Sequence, residues 1–259
     1  MILRLWRYRE LVLSLIRRQY QLRYRQSLVG FSWAILPPLA SLLVATVVFH
    51  KVIGVQSGKT GVPYTLFTLA ALTPWTFFAQ SVTAGVPSIV GSIQMVTRLP
   101  FPRAAIPLSM VGTSMIDLGI SLIGFVVFAL VTGAGLPITA LWLPLILAVE
   151  LVLVLGVVLL GSAINVFARD VRIAIPLLMQ LWLFLTPVMY PLEQASGAVR
   201  TLYLINPMTG LVEVFRQILA YGEQPSLDLL LPATIGALAF LVVGTWYFSS
   251  TEERFADVI

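Results

Sequence analysis

Apolar residues in this chain fall into long unbroken blocks instead of alternating with polar ones. Each block reaches the roughly 17–25 residues that a helix needs to cross a bilayer. The pattern therefore predicts transmembrane helices and disfavours an outer-membrane barrel, whose strands alternate. Six blocks fit: residues 32–53, 66–90, 106–131, 141–167, 173–190 and 229–248. The second is the most polar, with Thr73, Pro74, Gln80, Ser81, Thr83 and Pro87. Such polarity is tolerated only where neighbouring helices or a water-filled cavity cover it.

Ahead of the first block the period changes. Arg4, Arg7, Glu10, Ser14, Arg17, Arg18, Gln21 and Arg25 return every three or four residues to one side, opposite Leu5, Tyr8, Val12, Leu15, Ile16, Tyr20 and Leu22. That predicts an amphipathic helix lying along the membrane surface, with its arginines among anionic headgroups. Recurring arginines and the lack of an uninterrupted apolar run before a cleavage site separate it from a signal peptide. Two readings are open: an in-plane anchor alone, or an anchor whose polar face also docks a partner.

The only long connection runs over residues 191–228. Within it Asn206-Pro207 is a helix start, Asn as N-cap and Pro in the first turn, and Gly222 after Tyr221 is a stop. The enclosed helix of about 15 residues would be about 22 Å long, too short to cross. Leu211, Phe215, Ile218 and Leu219 still give it an apolar face. It reads as a re-entrant or interfacial helix, paired with the apolar stretch 198–205; an ordinary loop helix is the alternative. The expected architecture is an all-α integral membrane protein. It has six transmembrane helices, an N-terminal amphipathic interfacial helix, and re-entrant helices between spans five and six. The division is residues 1–31 for the interface helix and 32–259 for the six-span domain.

Composition agrees: 59% of the 259 residues are hydrophobic, 10% are charged, and the mean hydropathy is +0.96, against about 25% charged in soluble domains. The short connections leave no room for a separate catalytic domain of about 100 residues. With no cysteine, thiol catalysis, disulfides and thiolate metal sites are excluded, and His50 alone makes no metal cluster. The net charge of +5 comes from a local cluster, seven of the 16 basic residues lying before residue 26, so it speaks of membrane orientation and not of nucleic acid. Twelve basic residues, among them Arg98, Arg103, Arg169, Arg172 and Arg254, fall on the side of both termini, against Lys51, Lys59, Arg200 and Arg216 on the other. That asymmetry places both termini in the cytoplasm.

Residues 54–60, Gly-Val-Gln-Ser-Gly-Lys-Thr, imitate a phosphate-binding loop but have three residues between the glycines where the Walker pattern needs four. They also follow a membrane helix and face outside, so Lys59 reads as a solvated loop charge and the chain carries no ATPase motif. Asp117 and Glu150 lie inside spans three and four. A central Asp costs about 2.5–3.5 kcal/mol on insertion scales, so neither should face lipid. Hydrogen bonds between helices are the favoured reading and a conduit lining the alternative, because no basic or histidine relay partner lies within a span. Trp75, Phe77, Phe78 and Tyr190 are either part of an interfacial aromatic belt or walls along which a sugar chain could slide. The short connections over residues 94–103 and 169–172, with Arg98, Phe101 and Arg103 in the first, suit docking of a soluble partner.

The same segments carry a family resemblance. Arg23-Tyr24-Arg25-Gln26-Ser27-Leu28-Val29-Gly30-Phe31-Ser32-Trp33-Ala34, Pro74-Trp75-Thr76-Phe77-Phe78 and Phe101-Pro102-Arg103 are three of the matching stretches. Asn165-Val166-Phe167-Ala168-Arg169-Asp170-Val171-Arg172, Pro187-Val188-Met189-Tyr190-Pro191 and Asn206-Pro207-Met208-Thr209 complete them, in order over nearly the whole chain. The chain resembles the permease subunit of type-two ABC transporters that export polysaccharide, O-antigen or teichoic acid. The resemblance implies a homodimer in the bacterial inner membrane, each copy bound to a separate cytoplasmic ATPase subunit that holds the ATP and magnesium. This chain would bind no cofactor, no metal and no nucleic acid. It further implies undecaprenyl-diphosphate-linked glycan as substrate, with Arg98, Phe101 and Arg103 in the ATPase-coupling loop. Arg23 and Arg25 would attract the diphosphate, and Trp75, Phe77, Phe78 and Tyr190 would line the channel. Where many relatives carry basic residues before the Phe-Pro-Arg stretch, this chain has Met95, Thr97 and Arg98, a departure that bears on the coupling contacts.

Three other readings compete. A drug or lipid exporter shares the six-span architecture. A membrane enzyme would need clustered acids, histidines or a metal site at one face, and Asp170 between two arginines does not supply it. A channel or secondary carrier would show an inverted repeat, which is not visible.

Overall fold

The computed structural model describes residues 8–24, 36–59, 61–98, 101–192 and 197–258. These residues form helices joined by turns and short connections, with no strand among them. α1 (Arg9–Tyr24) is the amphipathic helix. α2 (Leu36–Val44) continues into a wider π-helical stretch, Ala45–Val52, and α3 is Tyr64–Gly85. Two short helices, α4 (Ser88–Gly91) and α5 (Ile93–Arg98), lead into α6 (Ala105–Val131). A tight turn over Ile138–Trp142 opens α7 (Leu143–Phe167), followed by α8 (Val171–Phe184). α9 (Gly197–Ile205) and α10 (Pro207–Arg216), the latter extended by a π-helical turn Gln217–Tyr221, precede α11 (Leu227–Thr251). A 3-10 turn, Glu252–Arg254, and α12 (Phe255–Val258) end the described chain.

Among the described residues, three helical stretches are long and apolar enough to cross a membrane: Ala105–Val131, Ile138–Phe167 and Leu227–Arg254. Pro38–Val52 and Val171–Phe184 are shorter apolar helices. The α8 helix stops well before residue 190 because Pro187 and Pro191 bracket residues 188–190, and proline cannot continue a helix hydrogen-bond ladder.

Small residues let the long helices meet. Gly156 of α7 and Gly244 of α11 sit so close that a Cβ added at Gly244 would overlap the Gly156 carbonyl. Without a hydrophobic force between helices in lipid, such close backbone packing is what holds them together. The amphipathic α1 is not isolated on a surface; it packs on α6, where Ile16 fills the space over Gly112. The main core runs between α3, α6, α7, α10 and α11, and contains Phe78, Leu153, Met208 and Phe215. A second cluster gathers Val96, Ile106, Val166, Phe248 and Phe255 on the side of the chain termini.

Candidate functional site

The far side, opposite the termini, is built around the segment between the two prolines. Its carbonyls at positions 188, 189 and 190 have no helix to bond within. Buried polar groups must be paired, and here the partners come from other elements. The Arg216 guanidinium donates to the Val188 carbonyl (2.6 Å) and to that of Tyr190 (3.4 Å), and the Tyr64 hydroxyl donates to the Met189 carbonyl (2.7 Å). Arg216 is fully buried, with 0% exposure. Its charge is balanced by Glu213 one turn earlier, at 2.8 Å, and its guanidinium lies 3.8 Å from the centroid of the Phe67 ring. A cation held over an aromatic face out of water is stabilised by the ring quadrupole.

Asn206 is the N-cap of α10, as its sequence context predicts: its side-chain oxygen accepts from the Met208 backbone N–H at 3.1 Å. It does more than cap. The same oxygen accepts from the Trp182 indole (3.1 Å), and its amide donates to the Leu185 carbonyl (3.2 Å) and the Thr186 hydroxyl (3.0 Å). One side chain thus ties the start of α10 to the end of α8, using both its acceptor and its donors. Gly222 closes the other end with φ of +68°, the left-handed conformation expected at a helix stop. The residue pattern predicts one apolar face for α10, but every residue of Pro207–Arg216 is buried. This helix sits inside the protein.

The loop over residues 53–59 folds over that end. Tyr221 donates to the Ser57 carbonyl at 2.8 Å, and Lys59 pairs with Glu223 while lying 4.6 Å from the Tyr221 ring centroid. Lys59 is an exposed loop charge, as expected, and its pairing with Glu223 also fastens residues 54–59 to the stop of α10. His50 at the end of the first apolar helix stacks on Tyr64, with centroids 5.0 Å apart. Arg216, counted on sequence only among the basic residues on the side opposite the termini, is a buried clamp. Its signal was present as Glu213 three residues earlier in a stretch otherwise apolar on that side.

The expected channel aromatics are mostly interior. Trp75, Phe77 and Phe78 are buried, Phe78 meeting Trp182 edge-on at 5.1 Å. Tyr190 is half-buried, donating to the Phe184 carbonyl (2.7 Å) and bonding the Tyr203 hydroxyl (2.8 Å). An apolar cavity of about 270 Å³ opens between α2, α3 and α6, lined by Pro38, Leu39, Leu69, Phe125 and Phe128 among others.

On the termini side, Asp117 has a basic partner that the spans themselves do not supply. Arg23 of α1 donates to it at 2.5 Å, with Asp117 buried and the Arg23 side chain 35% exposed. Glu150 is fully buried in α7, and neither carboxyl oxygen has a hydrogen-bond partner among the described residues. Phe101 packs on the termini-side cluster. Arg103 does not point outward as a free docking charge. Its backbone N–H donates to a Glu252 carboxyl oxygen at 3.0 Å and its guanidinium donates to the Glu252 carbonyl. Arg98 ends α5; its side chain, like all of Arg25, lies outside the described residues.

The fold thus defines an all-helical membrane protein without a nucleotide-binding domain among its described residues. The family model for ABC-2 type transporters matches residues 10–220, and the chain belongs to that family. It is 30% identical over 258 residues to the O-antigen export system permease protein RfbA of Myxococcus xanthus, covering 98% of this chain and 97% of that one. The protein of the same name from Klebsiella pneumoniae is 26% identical, covering 96% of this chain and 95% of the relative. The polysialic acid transport protein KpsM of Escherichia coli is 24% identical, with 93% of each chain covered.

Proposed function

We propose that this chain is the membrane subunit of an ATP-driven exporter that moves undecaprenyl-diphosphate-linked polysaccharide across the bacterial inner membrane. The observation that carries this reading is the end-to-end likeness to an O-antigen export permease, over 98% of the chain. A likeness confined to the spans would point no further than the family architecture.

The chain crosses six times, a count supported by the three long helices together with Pro38–Val52, Tyr64–Gly85 and Val171–Phe184 carried across by their flanking turns. α9 and α10 enter from outside and return, which their 9 and 10 residues and the burial of α10 support. Both termini lie in the cytoplasm, on the side richer in basic residues. Two copies enclose the conduit. A separate ABC ATPase, which supplies the ATP and magnesium chemistry, docks on the segment containing Arg98, Phe101 and Arg103 and on the polar side of α1. Closure of the ATPase dimer moves that segment, rocks the copies apart and admits the lipid diphosphate.

Arg23 and Arg25 mark the entrance. Arg23 already pairs with Asp117 yet keeps a third of its side chain exposed, so an arriving diphosphate competes with Asp117 for the guanidinium. Arginine suits this exchange because its planar donors can serve two anions at once. Trp75, Phe77 and Phe78 support the conduit wall from behind in this conformation, and Tyr190 with Tyr203 stands nearest to it.

Depletion of the protein in its host, with lipid-linked glycan fractionated on the two sides of the inner membrane, tests the assignment. Accumulation inside and loss from the surface is the expected result. Unchanged surface glycan in a host with no second exporter contradicts it and favours a drug or lipid exporter of the same family.

A further inference from the structure

We infer that the C-terminal segment, Glu252–Val258, is a connector that makes the coupling segment and the last membrane helix move as one body, with Glu252 as its positioning residue. The inference rests on the reading that residues 93–103 meet the ATPase, and adds a path from there into the membrane.

Three observations carry it. First, Glu252 holds Arg103 twice, the side chain accepting from the Arg103 backbone N–H (3.0 Å) and the Glu252 carbonyl accepting from its guanidinium. The two residues are 149 apart in sequence, so this contact joins the entry to α6 to the exit of α11. Second, the segment is anchored beyond Glu252. Phe255 is fully buried and meets Phe248 edge-on at 5.3 Å and Phe167 at 6.1 Å. Phe248 belongs to α11 and Phe167 to the end of α7, so one ring holds both long helices. Third, the same cluster takes in Val96 of α5, Ile106 of α6 and Phe101 between them.

A free tail would need neither the bond to a backbone N–H nor a buried aromatic anchor. Here α5, the start of α6, the end of α7 and the end of α11 share one packed cluster closed by Glu252. Packed cores transmit displacement because they have little room to deform. Movement imposed on residues 93–103 is therefore passed to α7 and α11, the two helices locked backbone to backbone at Gly156 and Gly244. The Arg103 N–H needs an acceptor of the right length and not a charge, which separates Glu252→Gln from Glu252→Ala.

The test uses the full chain with its ATPase partner in proteoliposomes, reading ATP hydrolysed per lipid-linked glycan exported. The Ala variant should export about tenfold less per ATP, the loss expected for one charge-assisted hydrogen bond. The Gln variant should restore most of the ratio. A purely structural role would lower hydrolysis and export together and leave the ratio unchanged, and that result overturns the inference, as does a Gln variant no better than Ala. A second measurement does not depend on either variant folding. The chain has no cysteine, so spin labels can be placed at Gln94→Cys and Glu253→Cys, both exposed. Their separation should stay the same between nucleotide-free and ATP-trapped complexes; separation on ATP binding overturns the connector. If the unmodified complex exports no glycan, the functional reading fails while the label distance still decides the connector.

Discussion

The two ends of this molecule hold their arginines in opposite ways. On the far side, Arg216 is paired with a glutamate three residues away, sealed from water, and its two terminal nitrogens also donate to carbonyls of the neighbouring proline-bracketed segment. On the termini side, Arg23 and Arg103 reach partners 94 and 149 residues away, and Arg23 remains partly exposed. A short-range buried pair makes a rigid unit of one hairpin. Long-range, partly wet contacts tie distant elements together and can be exchanged. The difference is one of construction: the far side is preformed structure, and the contacts of Arg23 and Arg103 are ones that can be exchanged.

The largest effect is expected where burial is complete. Replacing Arg216 by Met leaves Glu213 and the carbonyls at 188 and 190 buried without their donor. Breaking such a pair costs about 3–5 kcal/mol, read as a fall in the thermal unfolding midpoint in nanodiscs. Removing both charges, Arg216→Met with Glu213→Leu, should recover a large part of that loss, since an apolar pair carries no unpaid desolvation. A double variant no more stable than the single one would mean that the clamp acts through the carbonyls alone. Next comes Asn206→Ala, which strips the α10 cap and the ties to Trp182, Leu185 and Thr186. It should cost about 1–3 kcal/mol through buried groups left unpaired, in the same assay.

Much of this was legible in the sequence, and the exceptions have physical causes. The three longest spans, the Asn206-Pro207 start and the Gly222 stop are local signals: apolar length, a capping side chain, and a residue free to take positive φ. The first apolar block was legible as a helix but not as one that widens into a π-helical stretch before His50. Nothing local distinguishes the two ladders. The Glu213–Arg216 pair sits at helical spacing and could have been read from it; counting Arg216 only toward the charge balance of the two sides hid the signal. Arg23 with Asp117 and Arg103 with Glu252 carry no such signal. Their pairing depends on how α1 lies on α6 and where α11 ends, and no short-range pattern encodes either.

Smaller effects sharpen the comparison. Asp117→Asn should weaken the hold of α1 on α6 by about 1 kcal/mol or less, because Arg23 is a third exposed and solvent screens the pair. A double-mutant cycle with Arg23→Ala isolates that energy, and it should shrink as salt is raised. The same Asp117→Asn change frees the guanidinium, so binding of a diphosphate lipid should tighten; unaltered binding removes Arg23 from the entrance. The smallest change is Lys59→Ala, within about 0–1 kcal/mol, although it lies on the far side. If Lys59 mattered as much as Arg216, side of the membrane and not burial would set the energetics.

The central claim is that this chain carries a lipid-linked glycan outward under power from a separate ATPase. The most direct measurement is transfer in proteoliposomes that hold the chain and its ATPase partner, with undecaprenyl-diphosphate-linked polysaccharide supplied on the ATPase side. Transfer to the opposite face should require ATP, the ATPase and this chain together, and should stop when ATP hydrolysis is blocked. Transfer of lipid without glycan, or no ATP-dependent transfer from a complex that hydrolyses ATP, would contradict the account.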